Sequence, residues 1–167
     1  MLTALDASPD ALDDREKSFV ANIREHGWLR TNIYAEADEP GFSYTTGLWV
    51  NAKIPEIVVF SLKGEFAHDI CWNLFNDARS GIMPAIGTRT SEVFSNKPAY
   101  FFVVDKKHYR DYFGWNRWFY AGDDFPCLQL VWPDREGVLP WEKGFDETFR
   151  DDQPDLTEYG WAASIVS

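Results

Sequence analysis

What most constrains this chain is a set of short, unbroken apolar runs set against one long helical stripe. Ile57-Val-Val-Phe60, Tyr100-Phe-Phe-Val-Val104 and Cys127-Leu-Gln-Leu-Val-Trp132 are rich in β-branched and aromatic residues and are bounded by polar or turn-forming segments. Runs of this length read as strands, and near-continuous apolarity marks strands covered on both faces. By contrast, Gly64 to Ser80 follows a 3.6-residue period. It sets Phe66, Ala67, Ile70, Cys71, Leu74, Phe75 and Ala78 on one stripe and ends at Gly81. A buried sheet with helices laid on it is therefore expected.

The rest of the chain fills in that plan. Ser8 is a candidate N-cap with Pro9 at the first helical position, and Leu12, Phe19, Val20 and Ile23 repeat at helical spacing up to Gly27. This predicts a helix over 9–26, preceded by a loose leader at 1–8. Trp28 to Ala35 alternates as a strand, Glu36-Ala-Asp-Glu-Pro-Gly41 is a turn, and 42–50 reads as a second strand pinched near Gly47. Strands are also expected at 54–62 and around 92–94, and a helix crowded with aromatics over 106–120. After Pro133 the chain turns polar, with Gly137, Pro140, Gly144 and Pro154 as punctuation. The order α-β-β-β-α-β-α-β predicts an α+β fold: a single domain over 9–167 with a mainly antiparallel sheet packed with helices and a polar, acidic C-terminal segment.

Composition narrows the function classes. The 167 residues carry 16 Lys and Arg against 27 Asp and Glu, a net charge of −11, which disfavours binding to nucleic-acid phosphates. No apolar run approaches the ~20 residues of a membrane-spanning helix. The opening residues lack a basic leader and an apolar core, so no signal peptide is expected. Two cysteines, Cys71 and Cys127, cannot build a disulfide framework, which suits a cytoplasmic protein.

Three motifs resemble a known family. They are Ile23-Arg-Glu-His-Gly-Trp28, Pro40-Gly-Phe-Ser-Tyr-Thr-Thr-Gly-Leu48, and Leu128-Gln-Leu-Val-Trp-Pro-Asp-Arg-Glu-Gly137 followed by Pro140-Trp-Glu-Lys-Gly-Phe145. With them the chain resembles the bacterial family described as domain of unknown function four-two-six-two, from about Ile23 to Gln153. The resemblance implies a soluble bacterial protein and carries over no activity.

Four constellations are candidates for chemistry. His68 and Cys71 lie three apart on the predicted helix, but Cys71 falls on the apolar stripe and no second ligand pair has matching spacing, so neither metal nor cofactor is expected. Tyr44 and Thr45 offer hydroxyls beside Gly47, and Gln129 lies on the last strand. Seven aromatic residues crowd Tyr109 to Tyr120, too many for one helix face. Among them Trp118, with nearby Arg117, suggests a stacking surface for an anionic small molecule. Finally, the loop from Trp132 carries Asp134, Trp141 and Glu142. Its two indoles are expected to pack together, and its two carboxylates are the catalytic candidates.

Two readings follow. The first is a non-catalytic binding or interaction protein, either immunity-like toward a basic toxin or a small-ligand binder. The charge favours a basic protein partner, with Asp151, Asp152, Asp155 and Glu158 as one acidic face. The alternative is a small hydrolase using Asp134 or Glu142 with Gln129 and Arg117.

Overall fold

A computed structural model describes residues 1–166. Its strands are β1 (Leu29–Ile33), β2 (Phe42–Thr46), β3 (Glu56–Phe60), β4 (Thr90–Phe94), β5 (Lys97–Val103) and β6 (Cys127–Val131). They form one sheet in the order β1-β2-β3-β6-β5-β4, antiparallel at every step except between β3 and β6. The two parallel strands are buried along their whole length, as their continuous apolar runs require. The protein is an α+β domain with a mostly antiparallel sheet.

The helices are α1 (Asp14–His26), α2 (Leu48–Ala52), α3 (Gly64–Arg79), α4 (Tyr109–Tyr112) and α5 (Gly114–Phe119). Alternation along the strands divides the core. Ile57, Val59, Phe101, Leu128 and Leu130 face α3, meeting Ala67, Ile70, Cys71 and Phe75. Val58 and Phe60 face the other way, with Tyr44, Phe19 and Ile23 of α1 and the aromatic residues of α4 and α5. A third cluster joins Tyr100, Phe102 and Val131 to Leu139 and Trp161, tying the C-terminal segment to the sheet.

Several boundaries differ from the sequence pattern. The first helix starts at Asp14, because Asp13 accepts from the Glu16 N–H at 2.8 Å while Glu16 accepts from the Asp13 N–H at 2.9 Å. That reciprocal capping box outcompetes Ser8, whose side chain makes no cap bond; Pro9–Ala11 is a separate 3-10 turn. Residues 1–8 contain a further 3-10 turn, Ala4–Asp6, with Ala4 and Leu5 packed against the α4–α5 side.

The second strand stops at Thr46. Gly47 takes φ 110°, and the chain turns at once into α2 rather than continuing to Val50. The cause is Glu56, wholly buried, whose carboxylate accepts the backbone N–H groups of Gly47 (3.0 Å), Leu48 (3.1 Å) and Trp49 (3.2 Å). The helix expected over 106–120 is broken at Phe113 (φ −115°, ψ 53°). Its side chain is fully buried, and the Trp115 N–H beyond it donates to the Tyr44 hydroxyl at 3.2 Å. Breaking the helix lets the crowded rings point in different directions.

Candidate functional site

The family motifs first explain themselves as scaffold. Tyr44 holds α5 through its hydroxyl, and Thr45 donates to Glu56 at 2.8 Å while accepting the Ile57 N–H at 2.9 Å. The Thr46 hydroxyl donates to the Asn116 side chain, whose Nδ2 donates to the Thr45 carbonyl at 2.9 Å. Burial pushes the Glu56 carboxyl above the usual range, opposed by hydrogen bonds from Tyr120, Thr45, Trp49 and Gly47. Those donors occupy both carboxylate oxygens, so Glu56 organises the β2–α2 corner.

The loop after β6 is equally committed. Asp134 accepts from the N–H groups of Glu136 and Val138, both at 2.9 Å, and of Asp146 at 2.8 Å. Burial opposes its ionisation, but those donors and Lys97 outweigh it and hold the carboxyl below its usual range. Glu142 accepts the Leu139 N–H at 2.9 Å and lies 3.4 Å from Arg89. Gln129 donates to the Pro154 carbonyl at 2.7 Å and accepts from the Leu156 N–H and the Trp161 indole, both at 3.3 Å. The two indoles expected to pack together do not. Trp132 faces α3 with Phe149 and donates its indole N–H to the Phe60 carbonyl at 2.8 Å. Trp141 packs instead on Tyr100, Phe102 and Trp161. They separate because Trp132 joins the cluster on the Phe101 side of β5, while Trp141 joins the one built on the alternate residues Tyr100 and Phe102.

One of the spaces the fold leaves is on the α4–α5 side. A cleft of about 520 Å³ lies between the β1–β2 hairpin and the two short helices. Phe42 and Tyr44 of β2, Tyr112 of α4, and Trp115 and Trp118 of α5 supply its rings, with Tyr34 at the hairpin. These rings are ordered against one another. Trp115 stacks on Phe19 (centroids 4.4 Å, 11°), Trp118 meets Trp115 edge-on at 5.4 Å, and Tyr112 meets Phe42 edge-on at 5.3 Å. Glu16, Glu36, Glu39 and Asp111 line the same cleft, and its lining includes no Lys or Arg. None of Glu36, Glu39 and Asp111 forms an ion pair among the described residues. The field is felt at Tyr112, whose phenol is raised by burial first and then by Glu39 and Asp111. Past Glu39 and Phe42 the cleft continues into a second hollow beside Arg150, which pairs with Glu147, and Asp151, Asp152 and Pro154.

Of the residues singled out from sequence, the structure brings Tyr44 and Trp118 together in this cleft. Thr45, Gln129, Trp132 and Asp134 are buried elsewhere. Arg117 turns away to Asp123, Nε to Oδ1 2.6 Å. The crowded aromatic segment is both things at once. Tyr109, Phe113, Phe119 and Tyr120 are core, while Tyr112, Trp115 and Trp118 face the cleft. Sequence reasoning missed Glu16, Tyr34, Glu36, Glu39, Phe42 and Asp111. The signal available was the acidic hairpin tip Glu36-Ala-Asp-Glu39, read only as a turn.

On metals, Cys71 faces the core with its thiol pushed up to about 12 by burial, whereas His68, one turn earlier on α3, is exposed beside Trp28. Among the described residues no group of three or more His, Cys, Asp or Glu could hold a metal ion. Among the same residues no helix is long and apolar enough to cross a membrane.

Fold and cleft together define an α+β domain with an acid-lined aromatic groove at one end of its sheet. The chain belongs to the family described as Domain of unknown function (DUF4262), whose model matches residues 22–146. No curated protein and no solved structure matches it.

Proposed function

We propose that this is a non-catalytic binding protein whose groove takes a basic segment of a protein partner. The observation that carries this is the coincidence of unpaired carboxylates and ordered aromatic faces in one cleft. Rings attract Lys and Arg heads through their quadrupoles, and carboxylates at the rim add attraction that speeds encounter. Trp115 already takes such a contact within the chain, with the Arg15 guanidinium 5.9 Å from its ring. The net charge of −11 extends the same field around the molecule. An immunity-like role toward a basic toxin is the specific form of this reading that the charge favours. The hydrolase alternative finds less support, because Asp134 commits both oxygens to backbone N–H groups and Glu142 divides its oxygens between the Leu139 N–H and Arg89.

The test uses a fluorescent decapeptide of alternating Arg and Ala, titrated by anisotropy at low salt. A Glu36→Gln/Glu39→Gln/Asp111→Asn variant is expected to bind about tenfold more weakly, with a shallower salt dependence. A control of equal charge change outside the groove, Glu65→Gln/Asp69→Asn/Glu92→Gln, is expected to bind like the wild type. Equal weakening by both triple variants would reduce the effect to net charge and refute the groove.

A further inference from the structure

A second cavity carries the opposite charge. It has about 460 Å³ and lies at the β1 edge of the sheet, between the end of α1, the start of β1 and one side of α3. Its lining includes Arg30, Arg79, His26 and His68 and no carboxylate, in a chain with 27 acidic residues. The apolar part is aromatic. Trp28 is buried at its base with the His68 ring 5.1 Å away, and Trp72 is 54% exposed at its mouth.

Arg30 is the residue that asks for a ligand. Its guanidinium is half-buried and forms no ion pair among the described residues. It donates only to neutral oxygens, Ser43 Oγ at 3.0 Å and Asn32 Oδ1 at 3.4 Å, and its buried Nε finds no partner among those residues. The group is also held in position from the far side. A Cβ on Gly64 would lie 3.2 Å from Nη2, so the first residue of α3 is cut back to make room for it. A partly desolvated, positioned cation without a counter-charge is costly unless an anion completes it. At the other end of α3, Arg79 forms no ion pair among the described residues and lies over the Phe75 ring at 5.7 Å, so it adds to the positive field of the cavity without sharing a contact with Arg30.

We infer that this cavity is a binding site for a small aromatic anion, whose phosphate or carboxylate meets Arg30 while its ring lies against Trp28 and Trp72. The site is separate from the acidic groove, and the chemistry is that of a flat ring bearing one anionic group. A guanidinium accepts either group through paired N–H donors, and the indoles supply stacking area.

Calorimetric titration of the full chain tests it with two probe sets. One is adenosine monophosphate against adenosine and inorganic phosphate; the other is 2-naphthoate against 2-naphthalenemethanol. Binding of either aromatic anion, about tenfold tighter than its uncharged counterpart and than phosphate, is expected. Whichever set binds assigns the anionic group. Arg30→Gln should weaken that binding about tenfold. Because Arg30 is partly structural, Trp72→Ala and Arg79→Gln, both at exposed positions, serve as second variants that should leave the melting temperature in place: Trp72→Ala should weaken binding severalfold, and Arg79→Gln, at the far end of α3, should weaken it less. No heat from either anion at millimolar concentration would overturn the inference. So would binding that all three variants leave unchanged.

Discussion

Asp134→Asn separates a scaffold role from a chemical one. The wild-type carboxylate takes three backbone N–H groups, two on Oδ1 and one on Oδ2. An asparagine keeps one acceptor oxygen, so with that oxygen at the Oδ1 position the Glu136 and Val138 bonds survive as weaker, uncharged ones. Its NH₂ then faces the Asp146 N–H, which is left without the acceptor it had in Oδ2. A hydrogen bond to a charged group contributes about 1.5–3 kcal/mol, and losing one while weakening two puts the cost near 2–3 kcal/mol. For a chain of this size that is a fall of roughly 4–12 °C in melting temperature. The pH dependence carries a definite sign. Asp134 titrates below its ordinary value in the folded state, so its contribution is present above the unfolded pKa of about 3.9 and is lost as pH falls through the lower folded one. Urea unfolding of wild type and variant at pH 7 and again near pH 3 is the assay. The gap between them should be full at pH 7 and narrower in acid. A difference below about 0.5 kcal/mol at pH 7 would refute the reasoning, as would a gap unchanged by acid.

Two further outcomes follow from the β2–α2 corner. Gly47→Ala places a Cβ 2.6 Å from the Gly27 carbonyl oxygen at φ 110°, so it should destabilise by at least ~1–3 kcal/mol, and an unchanged melting curve would show the corner to be slack. Glu56→Ala strips the acceptor from three backbone N–H groups and two hydroxyls, and should cost ~3–5 kcal/mol in denaturant unfolding. With Glu56→Gln a pH-dependent component disappears: burial raises the folded pKa, so the wild type loses stability as pH climbs through it, and the amide does not.

Local pattern alone determined a good part of this protein. The runs at 57–60, 100–104 and 127–132 became strands, and the stripe from Gly64 became α3, because hydrophobic period is a property of consecutive residues. The α+β class followed from the order of these elements, and the family from the motifs at 23–28, 40–48 and 128–145. Boundaries were less legible wherever a distant side chain intervened. Glu56 reaches back from β3 to end β2 at Thr46, and Tyr44 reaches from β2 to receive α5 beyond the break at Phe113. No window around residues 42–50 or 106–120 contains those partners.

The sites depended still more on the tertiary structure. Asp134, Gln129 and Trp132 look like functional polar and aromatic groups in sequence, yet each is tied to backbone atoms up to 72 residues away. The acidic hairpin tip and the rings of α4 and α5 read separately as a turn and a core until the sheet order places β1–β2 beside those helices. Arg30 and His68 are 38 positions apart, and only the edge position of β1 against α3 sets them in one cavity. Sequence therefore determined which segments must be buried, because burial follows from periodicity. Tertiary structure decided which polar groups remain free to bind, because that depends on where every competing donor and acceptor comes to rest.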